Sequence, residues 1–368
     1  MAPRRDGGPQ MTMIPTLHTE RLTLRAWREA DFPTVAAFFA SKRSGFVGEP
    51  HDGRLAWRRL ASWVGHWRLR GDGSWAMVER ATGTVVGYCG VAAWPGKPEP
   101  EIGWLAFGGG EGRGFVAEAA RAALAFVRDD LGWTRAVSYI APGNTRSVAL
   151  AVRLGATDEG SCPDYRGPSD GAPHHTWRHD LSHAVPAERG RPTTLHAIPM
   201  IETERLRLRA FEPRDIEPMV AFYADRRTAP FVGGHESHDQ VWRRVASYLG
   251  HWDLRGYGIW ALEERATGRF VGYAGHWFPE GWLEPEIAYG LLADHHGRGF
   301  ATEAAEAALR HAYERLGWHT AISAVDVGNT ASQRVSERLG AVREDVRDMS
   351  GFRAAIYRHR PPADLLAA

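Results

Sequence analysis

The feature that most constrains this chain is that it is written twice. "HHGRGFATEAAEAALRHAYERLGW" runs from His295 to Trp318, and "EGRGFVAEAARAALAFVRDDLGW" runs from Glu111 to Trp133. Gly114 maps to Gly299, Trp133 to Trp318 and Asn144 to Asn329, each at an offset of 185 positions. The register holds from "FVG" at Phe46 and Phe231 to "RLGA" at Arg153 and Arg338, while "TERLTLRA" at Thr19 meets "TERLRLRA" at Thr203 at an offset of 184. A period this long is a whole domain, not a solenoid unit. The 368 residues therefore read as two tandem copies of one domain: a flexible lead over 1–13, a first domain over 14–181, a linker over 182–198 and a second domain over 199–361. The linker reading rests on the polar, Pro- and Gly-bearing "SHAVPAERGRPTTLHAIP". The opening "MAPRRDGGPQMTM" lacks the apolar stretch of a secretory signal, and Met11 or Met13 is an alternative start.

Each copy has the means to bury a core, since 43% of the residues are apolar and 24% charged. With 45 basic against 44 acidic residues and no long basic block, a general electrostatic grip on nucleic acid is not expected. No run approaches the ~20 apolar residues that cross a bilayer, so no membrane partner is expected. Cys89 and Cys162 have no CxxC partner, which argues against a disulfide framework or structural zinc and for a reducing, cytoplasmic location. His295-His296 and the cluster "PHHTWRH" at Pro173 to His179 have no carboxylate at ligand spacing, and no metal site is expected there.

Within a copy, "RLRLRAF" alternates like a half-exposed strand and is followed by Asp215, a good N-cap for a helix. "QVWRRVASYLGHWDLRG" places Trp242, Val245, Leu249 and Trp252 at helical spacing, the pattern of a buried helix face. "IWALEE" and "FVGYAGHW" form a hairpin across "RATGR", and "EPEIAYGLL" is a third strand. After the glycine phrase comes a helix with Ala301, Ala304, Ala305, Ala308, Leu309 and Ala312 on one face; a strand "TAISAV" and a helix stopped at Gly340 follow. The order predicts an α/β (α+β layered) unit, a mixed and mostly antiparallel sheet flanked by helices.

A strand, then "HHGRGFA", then an amphipathic helix can cradle an anion, because glycines let backbone approach closely and unpaired N–H groups at a helix start attract phosphate. It is neither a Walker A loop nor a Rossmann fingerprint. The alternative is a turn whose glycines only permit tight packing. Together with "TERLRLR", "EIAYGLL" and "GNTASQRVSERLGA", however, the phrase makes each half resemble an acetyltransferase of the GNAT superfamily, in the branch that includes the ribosomal-protein N-terminal acetyltransferases. The family loop pattern Q/R-x-x-G-x-G/A falls on His296, Gly297, Arg298, Gly299, Phe300 and Ala301, with His at the first position.

The resemblance implies acetyl-CoA as donor, held in a V-shaped opening between the central strands. Backbone groups of Leu291 and Leu292 would meet the pantetheine arm, the N–H groups from Gly297 to Ala301 the pyrophosphate, and Asn329 would orient the arm or simply cap its helix. The acceptor would be a primary amine, on a protein N-terminus or a small molecule, attacking directly in a ternary complex. An alkylamine with pKa of about 10 must lose a proton first. Glu286 in "EPEIAYG" is the expected base, the bland alternative being a solvent-facing strand carboxylate. An ordinary glutamate with pKa of about 4.3 is a weak base, so burial would have to raise it. Many family members carry a tyrosine as general acid on the last long helix, where this chain has Ser336; Ser332 is the weaker candidate for that role.

The first copy keeps Glu101, Gly112, Arg113, Gly114, Asn144 and Ser147, but has Glu111 where the second has His296 and Val116 where it has Ala301. A carboxylate facing a diphosphate costs on the order of 4 kcal/mol at close range, and overpacking roughly 1 to 3 kcal/mol. The second copy is therefore the expected catalyst. The tandem could mimic the dimers in which many of the superfamily act, as monomer or as homodimer. The competing function class is a noncatalytic CoA-binding sensor or interaction protein.

Overall fold

The computed structural model describes residues 12–48, 52–166, 173–349 and 352–366, which form two compact units meeting in the chain at Leu195 and His196. Of the expected lead, residues 1–11 lie outside the described residues, and Met13 already opens the first strand.

The first unit contains β1 (Met13–His18), β2 (Leu22–Arg25), β3 (Ser74–Glu79), β4 (Val85–Ala92), β5 (Glu101–Ala106), β6 (Ala136–Ile140), β7 (Thr157–Arg166), β8 (Pro173–His179) and β9 (Glu188–Thr194), with helices α1 (Phe32–Phe39), α2 (Gly53–Arg70), α3 (Phe115–Asp129) and α4 (Thr145–Arg153). The second contains β10 (Ile201–Glu202), β11 (Leu206–Arg209), β12 (Ile259–Glu264), β13 (Arg269–Trp277), β14 (Glu286–Leu291), β15 (Ile322–Asp326), β16 (Val342–Met349) and β17 (Phe352–Arg358), with α5 (Ile216–Ala224), α6 (His238–Arg255), α7 (Phe300–Arg315), α8 (Thr330–Arg338) and α9 (Pro362–Leu366). The sheets run β7-β8-β6-β5-β4-β3-β2-β1-β9 and β10-β11-β12-β13-β14-β15-β17-β16. In the second sheet only β14 and β15 are parallel, as β5 and β6 are in the first. This is the mixed, mostly antiparallel α/β unit that the sequence predicts, present twice.

Local physics explains the elements. The helix face of Ala304, Ala305, Ala308, Leu309 and Ala312 is fully buried against β13 and β14, in a core that also takes Trp252 and Trp260. Trp252 and, on the same helix, Trp242 are buried, as their spacing predicts. Gly340, at φ 74, ends the helical stretch of α8 in the left-handed region that favours glycine. Asp215 precedes α5, but its carboxylate is spent on Arg209 at 2.7 and 2.9 Å and on the Glu212 amide, so it braces the turn and does not cap the helix.

The stretch expected as a linker, 182–198, is partly sheet: β9 lies antiparallel on β1, with Met13 opposite Thr194 and Leu17 opposite Arg189. An uncovered edge strand exposes a row of unpaired N–H and C=O groups, and β9 satisfies those of β1. A polar composition conceals that role, because what fills it is backbone.

Candidate active site

The site in the second unit begins where β14 and β15 part. Their register holds a single pair, Glu286 with Ile322. The Ile322 amide still donates to the Pro285 carbonyl at 2.9 Å. One step further the ladder fails: the Ser323 hydroxyl donates to the Ile287 carbonyl at 2.8 Å, and the Ala324 amide turns to the Glu286 carboxylate at 3.3 Å. A side-chain hydroxyl thus replaces the missing rung and closes the apex of a V. His359, 2.9 Å from the same hydroxyl, fixes it from behind; burial holds that imidazole at a pKa of about 4.

Beyond the apex, the Leu292 amide donates to the Val271 carbonyl at 2.9 Å. Alternation along an antiparallel ladder then turns the amides of Tyr289 and Leu291 away from β13 and into the opening. Leu292, expected to meet the donor's arm, has its amide committed to β13, and its carbonyl accepts the His295 amide at 2.9 Å. Leu291 keeps its amide, while its carbonyl accepts from His296 Nε2 at 3.0 Å.

Following the strand, Gly297 and Gly299 sit at φ 74 and 83, a region that disfavours side chains, and Gly299 opens α7 with no side-chain cap. The first-turn amides are consequently left for a ligand. Glu303, in that first turn, is pulled aside: it accepts from the Thr203 hydroxyl at 2.6 Å, the Arg205 amide at 2.8 Å and Arg205 Nε at 2.7 Å. The recurrent "TERL" phrase therefore anchors the start of α7, and Thr19, Arg21 and Glu118 repeat the device in the first unit. Arg298 points away from the opening to Glu264, and its guanidinium and that of Arg205 both lie over the Phe300 ring, at 4.5 and 5.0 Å. Arg298 and Phe300 hold the loop through side chains and offer a ligand only their backbone.

A cavity of about 320 Å³ occupies this opening, with Leu291, His296, Gly297, Gly299, Ala301, Asn329 and Ser332 in its wall. Glu286, Leu292, Arg298 and Phe300 are not in that wall. Asn329 caps α8 by accepting the Ser332 amide at 3.1 Å. Arg334 and Arg338, one helical turn apart on α8, also border the cavity. Uncapped amides, arginines and a partly apolar channel suit an elongated polyanion such as coenzyme A.

Glu286 lies on the opposite face of β14 from Tyr289 and is only 6% exposed. Trp282 Nε1–H donates to its Oε2 at 2.7 Å. Burial pushes the carboxyl up to about 7, against the lowering pull of the Ala324 amide and the Trp282 indole. The reading as a solvent-facing carboxylate does not hold, since the group is buried.

Sequence reasoning missed Tyr289. Its hydroxyl donates to the Ser332 carbonyl at 2.9 Å and lies 3.2 Å from Ser336 Oγ, so a phenol from β14 reaches the place where a helix tyrosine was sought. Burial pushes its pKa up. The histidines of "PHHTWRH" have other work: His175 meets Asp158 at 2.9 Å, and His179 meets Ser138 at 2.9 Å.

In the first unit the loop change is compensated. Glu111 pairs with Arg43, the equivalent of Thr228, and with Arg146 at 3.3 Å. Arg43 in turn donates to the Ala106 carbonyl at 2.9 Å, as His296 does to its equivalent, Leu291. The expected charge conflict is thus answered inside the protein by an ion pair.

The family model described as an acetyltransferase (GNAT) domain matches twice, at residues 21–157 and 205–342. The uncharacterized protein YkkB of Bacillus subtilis (strain 168) is 31% identical over 155 residues, covering 40% of this chain and 87% of that protein. The uncharacterized N-acetyltransferase YoaA of the same organism is 25% identical over 169 residues, covering 45% and 93%. An acetyltransferase from Agrobacterium tumefaciens str. C58, solved by crystallography, shares 37% identity over 48% of this chain and 99% of its own, with a TM-score of 0.42. Among the described residues, no helix is long and apolar enough to cross a membrane. The chain belongs to the GNAT acetyltransferases, an acyltransferase built from two tandem copies of the family's acetyl-CoA-binding fold.

Proposed function

We propose that the second unit transfers an acetyl group from acetyl-CoA to a primary amine by direct attack, with Glu286 as the base. The observation that carries this reading is the Glu286 carboxyl, buried at the apex of the parted strands with a pKa of about 7. A carboxylate tuned to that range is a far better base toward an amine than an exposed one and is still half ionised at neutral pH. The amine nitrogen forms a bond to the thioester carbon as the carbon–sulfur bond breaks, and its proton passes to Glu286. The thiolate that leaves takes its proton through Ser332, the hydroxyl in the cavity wall, and ultimately from water. The amides of Leu291 and of the first turn of α7 orient the donor, with Asn329 holding the start of α8 beside it. A panel of primary amines turned over with acetyl-CoA by the wild-type chain and by Glu286→Gln tests the reading. Tight donor binding without transfer to any amine, or an unaltered Glu286→Gln enzyme, would overturn it.

A further inference from the structure

Residues 97 and 282 are equivalents in the two copies, and both reach the carboxylate at the head of the strand that follows. In the second unit the contact is neutral, from the Trp282 indole N–H to Glu286 at 2.7 Å. In the first it is ionic: the Lys97 ammonium pairs with Glu101, hydrogen-bonds the Tyr165 hydroxyl at 3.1 Å, and lies 4.2 and 5.3 Å from the centres of the Tyr165 and Tyr139 rings. Lysine is not a background choice in this chain, which has two among 45 basic residues, Lys42 and Lys97. One of the two is buried against the equivalent of the proposed base.

We propose that the residue at this position is a positioning residue that decides whether the strand carboxylate works as a base: Trp282 aligns Glu286 through a neutral donor, whereas Lys97 covers Glu101 and commits it to an ion pair. An indole N–H fixes the direction of the carboxylate lone pairs without cancelling the group's need for a proton. An ammonium supplies a full charge in a confined space, so an approaching cationic amine meets a site already neutralised. Burial works to lower the Lys97 pKa, and Glu101 and Tyr165 outweigh it, so the side chain remains an ammonium. The other titratable groups that Glu286 influences are phenols, Tyr273 from β13 and Tyr289 on the opposite face of its own strand. Among the described residues no charged side chain contributes to its shift. The Ala324 amide and the Trp282 indole are the donors that lower it, and Trp282 is the one of the two that a substitution can remove.

The inference rests on Glu286 as the base, and the test separates the two. Trp282→Lys and Trp282→Phe are made in the full chain, and kcat/KM is followed against pH alongside the donor KM. Trp282→Lys is expected to lower kcat about 100-fold near neutral pH, with the donor KM unchanged and the acid limb displaced downward. Trp282→Phe removes the N–H that favours the anion, so its limb moves upward. A Trp282→Lys enzyme with the wild-type rate and limb overturns the proposal. So does acetylation of the new lysine itself, read by mass spectrometry against a background of two native lysines. Should Trp282→Lys not fold, an unshifted limb in Trp282→Phe is sufficient to overturn it. An active Glu286→Gln enzyme would instead refute the base, while an inactive one beside an unaffected Trp282→Lys would refute this inference alone.

Discussion

At the residue scale Glu286 has two measurable consequences. As a base it must be ionised, so kcat/KM should rise with pH through an acid limb near 7, the value to which burial lifts the carboxyl. Glu286→Gln should lower kcat by about 10²- to 10⁴-fold, the range of general-base removal, and erase that limb. The second consequence is for stability. A carboxyl whose folded pKa stands above its ordinary value of 4.5 binds its proton more tightly when folded, so its contribution is full below that value and is lost as pH rises through about 7. A displacement of this size is worth about 3 kcal/mol. Glu286→Gln should therefore melt higher than the wild type at alkaline pH, with the advantage disappearing in acid; paired thermal melts at the two extremes check it. Glu286 itself was legible in sequence, through the strand and its place in the family pattern. Trp282 and Tyr289 were not, because each acts by reaching a group on another segment, Tyr289 across 43 and 47 positions to Ser332 and Ser336. One sequence carries no sign of such a pairing.

At the scale of elements, the glycine loop before α7 is a backbone device tied down by side chains. Gly299→Ala places a Cβ at φ 83, where the left-handed region costs roughly 1–2 kcal/mol, with its nearest neighbour the flexible end of Arg205 at 3.2 Å. The fold should tolerate that, but the amides beside it should move. The donor KM is expected to rise about tenfold with kcat nearly unchanged, the signature of lost binding without lost chemistry; initial rates over a range of acetyl-CoA concentration measure the split. The periodic helices and the hairpin were readable because burial imposes spacings of 3.6 and 2 on side chains. The strand β9 was not, since it is recruited by the open backbone of β1 and exposes most of its own side chains. The V itself was known only by resemblance: its cause, one serine hydroxyl replacing a ladder bond, is written as an ordinary residue of "TAISAV".

At the scale of the whole molecule, duplication places two versions of one machine in a single chain, and the differences between them form linked sets. His296 and Thr228 are replaced together by Glu111 and Arg43, which preserves the brace on the strand carbonyl. Trp282 is replaced by Lys97, and the carboxylate it touches becomes an ion pair. Tyr289 and Ser336 become Trp104 and Ala151, which removes the phenol–hydroxyl contact and leaves Ala151 in an apolar cluster with Trp104 packed on it. Independent drift would leave unpaired charges and cavities; here each loss is covered by a neighbour. On the proposed reading, the first unit keeps the packing of the fold while its strand carboxylate is committed to an ion pair. Two substitutions in the intact chain test this division of labour. Glu101→Gln should leave acetyl transfer within about twofold of wild type, because the residue is committed to Lys97, although breaking a buried ion pair should lower the melting temperature. Glu286→Gln should lower transfer by the whole chain by the same 10²- to 10⁴-fold, with the first unit adding nothing to the residual rate. Equal losses from the two substitutions, or residual transfer in Glu286→Gln that vanishes only when Glu101→Gln is added, would make both units catalysts.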